Sequence, residues 1–465
     1  ADLTNREYCK TAILKFFREP NLEVELALFE RAAYEYAAFL LKHKTRRRRA
    51  SLVFDFESAC VGSPAVPFFE AIPRNTSAGY PHNVNKLKLS GKKTFFGTDE
   101  KYDLSGSEAV KLKARVLKII ELAKQGKRTL HVYTDVFKDE RLPLNKGKIR
   151  AFSASPLELT IAIRMYFMDF TMFMMECRTD AFCGPGINPN SVDWDRLVHS
   201  LKSKGNKIIA GDYSAFDARH IASIMRFLLI IVEVFYDGNE EEKLVRKVLF
   251  EEVVNSIHIL GRKIYQWPGS LPSGSALTTF VNCLLNILYM MVAFINLVKG
   301  SKFEDFFSKV YLCVFGDDNI LSVDDSIIEE FNGKTIQAFM PKINQEYTAE
   351  DKSTEMYEWK TLEEVSFLKR SMRYEPLFHR WVAPLAIASI DETPYWYRKT
   401  PDPNITIESN VDWMFMEYSL HGKDIFERIV AERCPIIEER IGYRSPLSIN
   451  WMTTVEKALG RDDHF

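Results

Sequence analysis

Cysteine is scarce and poorly placed for cross-linking. The 465-residue chain carries seven, Cys9, Cys60, Cys177, Cys183, Cys283, Cys313 and Cys434, an odd and scattered set with no CxxC pair. That argues against a disulfide frame or a zinc ribbon and favours a reducing compartment. No GxxxxGK[ST] occurs, which sets aside a P-loop ATPase. A cysteine protease has only Phe182-Cys183-Gly184-Pro185-Gly186 to suggest it, with no ordered histidine partner. Excess charge is missing too. Lys plus Arg number 62 against 63 Asp plus Glu, a net −1, so a polyanionic partner must be met by a local basic surface. There is no internal repeat, low-complexity tract or long linker, so one integrated body is expected. The first residues, Ala1-Asp2-Leu3-Thr4, lack a basic-then-apolar signal pattern.

Apolar material is abundant: 46% of residues are hydrophobic, with 33 Phe and 19 Tyr, enough for a large core. One run, 276–298, has no charge over 23 residues and is long enough to cross a bilayer. It carries Thr278, Thr279, Asn282, Asn286 and Asn296, all costly in hydrocarbon, so a buried core helix is the better reading. Near the N-terminus Leu22, Leu26, Phe29, Ala33, Tyr36 and Leu40 recur at helical spacing and predict one buried face. That segment ends in a basic run, Lys42 to Arg49, which is either a solvated face or a phosphate-contacting patch. Residues 51–105 read as loop-rich. Helices are expected at 108–124, 157–175, 221–236 and 241–256, and a short buried strand at 207–210. Residues 309–323 read as a hairpin, and 371 onward as strands followed by helices.

Two acidic sites lie at the ends of buried strands. Gly211-Asp212-Tyr213-Ser214-Ala215-Phe216-Asp217 follows the first strand, and Gly316-Asp317-Asp318 turns the hairpin. Carboxylates crowded at strand ends need a compensating charge, for which a divalent cation is the simplest source. Asp212 and Asp317 are the natural ligands, with Asp318 a weaker third. A third element, Ser273-Gly274-Ser275 leading into Thr278 and Asn282, enters the uncharged helix. Thr278 and Asn282 are four apart, so both are expected on one side of it, where they could recognise a sugar hydroxyl.

These pieces, Asp-x4-Asp, Ser-Gly-x3-Thr-x3-Asn and Gly-Asp-Asp in that order, resemble the palm motifs of viral RNA-dependent RNA polymerases, in particular those of picornaviruses and their picorna-like relatives. The wording near Lys138 to Arg150 leans towards insect-infecting members. Further matches are Asn75-Thr76-Ser77-Ala78-Gly79, a template-guiding fingers loop, and Lys138 to Arg150, a basic fingers motif with five basic against two acidic residues. Ala349-Glu350-Asp351-Lys352-Ser353 is similar to the palm segment carrying a proton-donating lysine. Phe367-Leu368-Lys369-Arg370 resembles the primer-grip turn. One departure is Phe315, where the family usually has tyrosine before Gly-Asp-Asp.

The resemblance implies an α+β fold, a cupped right hand whose antiparallel palm sheet is backed by helices. Fingers would span 1–190 and 221–268, the palm 191–220 and 269–370, and the thumb 371–465. It implies metal ligation by Asp212, Asp317 and Asp318, with Mg²⁺ expected and Mn²⁺ as substitute, and general-acid catalysis by Lys352. Nucleotide contacts would come from Lys138, Lys148, Arg150, Asp217, Ser273, Thr278 and Asn282. Template and primer contacts would come from Thr76, Ser77, Gly79, Gly274, Lys369 and Arg370. The implied partners are RNA template and primer, nucleoside triphosphates, a genome-linked protein primer and replication-complex proteins. The implied setting is membrane-associated replication complexes in the host cytoplasm, with no transmembrane segment in this chain. Rival readings are a reverse transcriptase, disfavoured by Asn282 with Asp217 and by Gly316, and a non-enzymatic RNA-binding scaffold, disfavoured by the intact aspartates.

Overall fold

Two four-stranded sheets carry the residues singled out above. The computed structural model describes residues 4–47, 50–85, 89–140, 149–267, 269–395 and 402–460. Arg48, Arg49, Arg141 and Lys148 therefore lie outside the described residues.

The first sheet has the order β2-β1-β4-β5, from β1 (Val132–Phe137), β2 (Ala151–Ala154), β4 (Ile257–Leu260) and β5 (Lys263–Gln266). The second has the order β6-β7-β3-β8, from β3 (Lys207–Tyr213), β6 (Val310–Phe315), β7 (Asp318–Val323) and β8 (Tyr347–Ala349). Every pairing in this second sheet is antiparallel. Helices Val192–Lys202, Thr278–Leu297 and Gly333–Phe339 pack against it. The expected antiparallel sheet backed by helices is thus present.

The uncharged run forms the Thr278–Leu297 helix, buried along nearly its whole length. It is long and apolar enough to span a membrane, but 78% of its most apolar stretch is inside the fold. Asn286 is completely buried within it and Asn282 nearly so, which a protein core tolerates because both amides find partners.

The N-terminal amphipathic reading produces the Leu26–Arg47 helix, with Phe29, Ala33, Tyr36 and Leu40 buried. Leu26 departs from that face: it opens the first turn and is exposed, before the helix has reached the core. Helices Ser107–Lys124, Leu157–Cys177, Ala222–Tyr236 and Glu240–Val254 fall close to the expected ranges. The strand expected at 207–210 continues to Tyr213, so Asp212 lies within it.

The β2-β1-β4-β5 sheet was not legible as strands. Its pieces are four to six residues long, and β1 pairs in parallel with β4 across more than 120 residues of intervening chain. Towards the C-terminus a second apolar cluster gathers Val382, Ile390, Phe415, Tyr418, Phe426, Trp451 and Val455, separate from the main core.

Candidate active site

The carboxylates are brought together by strand pairing. Gly211 of β3 pairs with Asn319 of β7, which places Asp212 beside the start of β7 and hence beside Asp318 and the hairpin tip. Successive side chains on a strand point to opposite faces. Tyr213 turns inward, its hydroxyl donating to Asn286 Oδ1 at 3.2 Å, so Asp212 projects from the other face of the sheet. Position 211 has to be glycine, since a Cβ there would fall 2.0 Å from the Tyr347 hydroxyl. That hydroxyl donates to Asn319 Oδ1 at 2.7 Å and ties β8 to β7.

Phe315 pairs with Asp318, leaving Gly316-Asp317 as a two-residue hairpin loop. Gly316 has φ +68°, which suits the first position of a tight primed turn. The helix behind the sheet grips this turn. Asn286 Nδ2 donates to the carbonyls of Gly316 (3.0 Å) and Asp317 (3.2 Å), and the Gly316 N–H reaches Cys283 Sγ at 3.2 Å. Asn286 and Cys283 are site-building residues that motif reading missed. The available signal was the four-residue step Thr278, Asn282, Asn286 in a largely apolar helix.

The electrostatics follow from crowding. Reduced hydration, reinforced by the charges of Asp212 and Asp318, pushes the Asp317 carboxyl up to about 7. Its open face at the hairpin tip tempers that shift. Asp318 is pushed up to about 6 by reduced hydration and by Asp212, with Lys352 and Lys369 opposing. Lys352 lies with its Nζ 2.8 Å from Asp212 Oδ2. That hydrogen bond holds its ammonium above the ordinary lysine range.

Beside the carboxylates sits a second constellation. Asp217 is on the short Phe216–Ala218 turn after β3, and its carbonyl accepts from the Leu271 N–H at 2.8 Å. Asn282 Nδ2 donates to Asp217 Oδ1 at 2.7 Å. Burial raises the Asp217 carboxyl above its usual range, with the Asn282 bond, Lys15 and Lys138 opposing. His220, also missed in the sequence, contacts Asn282 Oδ1 at 2.8 Å.

Several expected contacts are otherwise engaged. Ser273 does not reach Asp217; its Oγ accepts from the Ser153 N–H at 3.2 Å and fastens the loop to β2. The Thr278 hydroxyl turns back onto its own loop, donating to the Pro272 and Ser275 carbonyls at 2.9 and 3.0 Å. Its helix begins at that residue, so the hydroxyl serves the preceding loop rather than the face shared with Asn282. Arg370 is locked by Glu417, with Nη1 and Nη2 contacts of 2.9 and 3.0 Å, so it is a strut to the C-terminal helices rather than a free cation. Arg150 is paired with Glu140, Nε to Oε1 at 2.6 Å, while the charge of Asp317 also favours its protonated form.

Lys138 follows β1, and its N–H donates to the Arg150 carbonyl at 2.8 Å. Lys369 lies in the two-residue turn with Leu368, both at positive φ, near enough to act on Asp318. In the 75–79 loop, Thr76 Oγ1 donates to the Pro73 carbonyl at 3.0 Å and Ser77 Oγ accepts from the Gly79 N–H at 3.1 Å. Gly79 has φ +70° and presses on the Ser155 carbonyl, leaving no room for a side chain. Cys183, the rival nucleophile, is completely buried, and contact with Cys283 together with burial pushes its thiol well above the usual range.

Among the described residues no three His, Cys, Asp or Glu side chains are drawn together closely enough to hold an ion unaided. Asp212, Asp317 and Asp318 nevertheless fit a hard divalent cation that takes one or two carboxylates and completes its shell with water and phosphate oxygens. Their mutual repulsion is the deficit such a cation would relieve.

Residues 15–434 match the family model described as viral RNA-dependent RNA polymerase. The chain is 34% identical over 406 residues to a replicase polyprotein of Drosophila C virus, covering 83% of this chain and 23% of that protein. It is 33% identical over 412 residues to the replicase polyprotein of cricket paralysis virus, covering 85% and 23%. The chain thus spans about a quarter of the length of these relatives. Among solved structures it is similar to a Sicinivirus 3Dpol RNA-dependent RNA polymerase, with a TM-score of 0.77, 17% identity and coverage of 97% of this chain and 89% of that one.

Proposed function

The chain belongs to the viral RNA-dependent RNA polymerase family, and from that premise we propose that it extends an RNA strand by template-directed transfer of nucleoside monophosphates from ribonucleoside triphosphates. The observation that carries this reading is the β3–β7 pairing, which sets Asp212 beside Asp317 and Asp318 with Lys352 on the same cluster. The division into fingers (1–190, 221–268), palm (191–220, 269–370) and thumb (371–465) belongs to the same proposal.

In this reaction the 3′-hydroxyl loses its proton to water and the O3′–Pα bond forms as the bond from Pα to the pyrophosphate oxygen breaks. Asp212 and Asp317, assisted by Asp318, would hold two divalent cations, Mg²⁺ or Mn²⁺. Those ions, when bound, favour the deprotonated 3′-hydroxyl and offset charge on the leaving pyrophosphate. The chain's own residues position and protonate. Lys352 carries its proton firmly because of Asp212, and gives it to the departing pyrophosphate oxygen. Lys138 and Arg150 would face the triphosphate, where positive charge is worth most close to the acidic cluster, and Lys148, outside the described residues, is proposed to join them. Asp217 and Asn282 would offer their remaining carboxylate oxygen and amide N–H to a sugar hydroxyl. That complement fits a 2′-OH, which both donates and accepts. Thr76, Ser77, Gly79, Gly274 and Lys369 would steer RNA by its backbone.

The names of the relatives support a replicase setting. We extend the proposal to replication of a positive-strand genome, a genome-linked protein primer and membrane-associated complexes in the host cytoplasm. Primer extension on four homopolymeric RNA templates tests the core reading. Each template should support incorporation of its complementary ribonucleotide alone. Incorporation independent of the template would refute it.

A further inference from the structure

The Asn282 amide does not orient itself. A carboxylate only accepts hydrogen bonds, so Asp217 draws the Nδ2 side of Asn282 at 2.7 Å and sends Oδ1 the other way. There Oδ1 meets His220 Nε2 at 2.8 Å, and an amide oxygen only accepts. His220 must therefore carry its proton on Nε2. Its Nδ1 is then an acceptor and takes the Tyr289 hydroxyl at 3.1 Å. The order of donors is forced along the whole chain, Tyr289 to His220 to Asn282 to Asp217.

The chain is held rigidly. His220 and Tyr289 are buried, and the imidazole stands edge-on to Phe216 with ring centres 4.5 Å apart. The His220 carbonyl accepts from the Ser270 N–H at 3.1 Å, tying it to the loop that leads to Ser273. Neither His220 nor Tyr289 belongs to the motifs recognised in the sequence.

We propose that His220 is a positioning residue which, backed by Tyr289, fixes the Asn282 amide and so sets the preference for ribose over deoxyribose. This rests on the reading of Asp217 and Asn282 as the sugar-sensing pair. Without the His220 donor, Oδ1 of Asn282 is buried unpaired, and the amide loses the constraint that keeps its second N–H towards the sugar.

The test compares kcat/KM for a ribonucleoside triphosphate and its 2′-deoxy counterpart in wild type, Asn282→Ala, His220→Leu, His220→Gln and Tyr289→Phe. The ratio should fall in Asn282→Ala. It should fall about tenfold in His220→Leu, the worth of one directed hydrogen bond. It should be restored in His220→Gln, whose amide can donate where Nε2 did, and fall less in Tyr289→Phe. If Asn282→Ala lowers the ratio and His220→Leu does not, the role of His220 is overturned while the sugar-sensing pair stands. Equal losses with both nucleotides in His220→Leu would reduce His220 to a packing residue and overturn it likewise. An unchanged ratio in Asn282→Ala would remove the pair itself. Tyr289→Phe, a single-atom deletion, keeps the test readable if His220→Leu fails to fold.

Discussion

Lys352 reaches Asp212 across 2.8 Å, joining a cation that is 72% exposed to a carboxylate that is almost fully buried. Lys352 also has φ +66°, a left-handed conformation uncommon for a side chain of its size. On the proposed mechanism, a lysine held by the Asp212 carboxylate and raised above its ordinary pKa would reach the reaction protonated. Lys352→Leu should therefore lower kcat about 10²-fold with little change in nucleotide KM, and should abolish the basic limb of the pH–rate profile. An unchanged kcat would exclude the acid role.

The acid side of the profile should be set by metal competition. Asp317 and Asp318 are pushed up to about 7 and about 6, so protons and cations compete for them near neutrality. The metal concentration giving half-maximal rate should rise as pH falls from about 8 to about 6, with excess metal restoring most of the rate. For stability without metal the sign is the reverse of the usual carboxylate case. A raised folded-state pKa means that the folded state holds more protons than the unfolded one, so stability falls as pH rises from about 4 through about 7. Asp317→Asn should flatten that dependence in thermal melts in chelator. A steeper dependence in the variant would refute the assignment.

The Ser273–Ser275 loop depends on close backbone contact. Gly274 forms a parallel bridge with Ala154, and a Cβ on it would fall 2.0 Å from the Ser153 carbonyl oxygen. Gly274→Ala must push the loop off β2 and break the Ser153–Ser273 hydrogen bond. Nucleotide KM should rise severalfold while the melting temperature moves by only a few degrees. Wild-type KM in this variant would show that the loop position is immaterial.

Arg370 is a structural tie. Its side chain is 13% exposed and that of Glu417 is 2% exposed. Glu417→Ala strands a largely buried guanidinium and should cost about 3 kcal/mol. Arg370→Ala should lower stability comparably and weaken RNA binding no more than Glu417→Ala does. A selective loss of RNA affinity in Arg370→Ala, measured by filter binding across salt concentrations, would instead restore it as a primer contact.

The clustering of the carboxylates was legible because each follows or turns a short apolar strand, and the β3–β7 pairing brings Asp212 beside Asp317 and Asp318. The supporting residues were not. Cys283 and His220 act through bonds across 33 and 62 positions of sequence with nothing local to mark them, and Asn286, which holds the hairpin turn across 30 positions, was marked only by its four-residue step from Asn282. Helical spacing puts Thr278 in line with Asn282, but a residue at the helix start can turn to the loop before it, and its hydroxyl does so. The Arg370–Glu417 pair could not be read from the sequence because the partners are 47 residues apart. The β2-β1-β4-β5 sheet escaped because its strands are short and its parallel pairing joins distant segments.

The most direct test is RNA-templated primer extension with Mg²⁺ by the wild-type chain and by Asp317→Ala, with RNA affinity measured on both. Template-complementary ribonucleotide incorporation by the wild type, lost in Asp317→Ala while RNA affinity is retained, is the expected result. Equal incorporation by both, or none by a wild-type chain that binds RNA in Mg²⁺ and in Mn²⁺, would contradict the assignment of Asp212, Asp317 and Asp318 as the centre of a polymerase site.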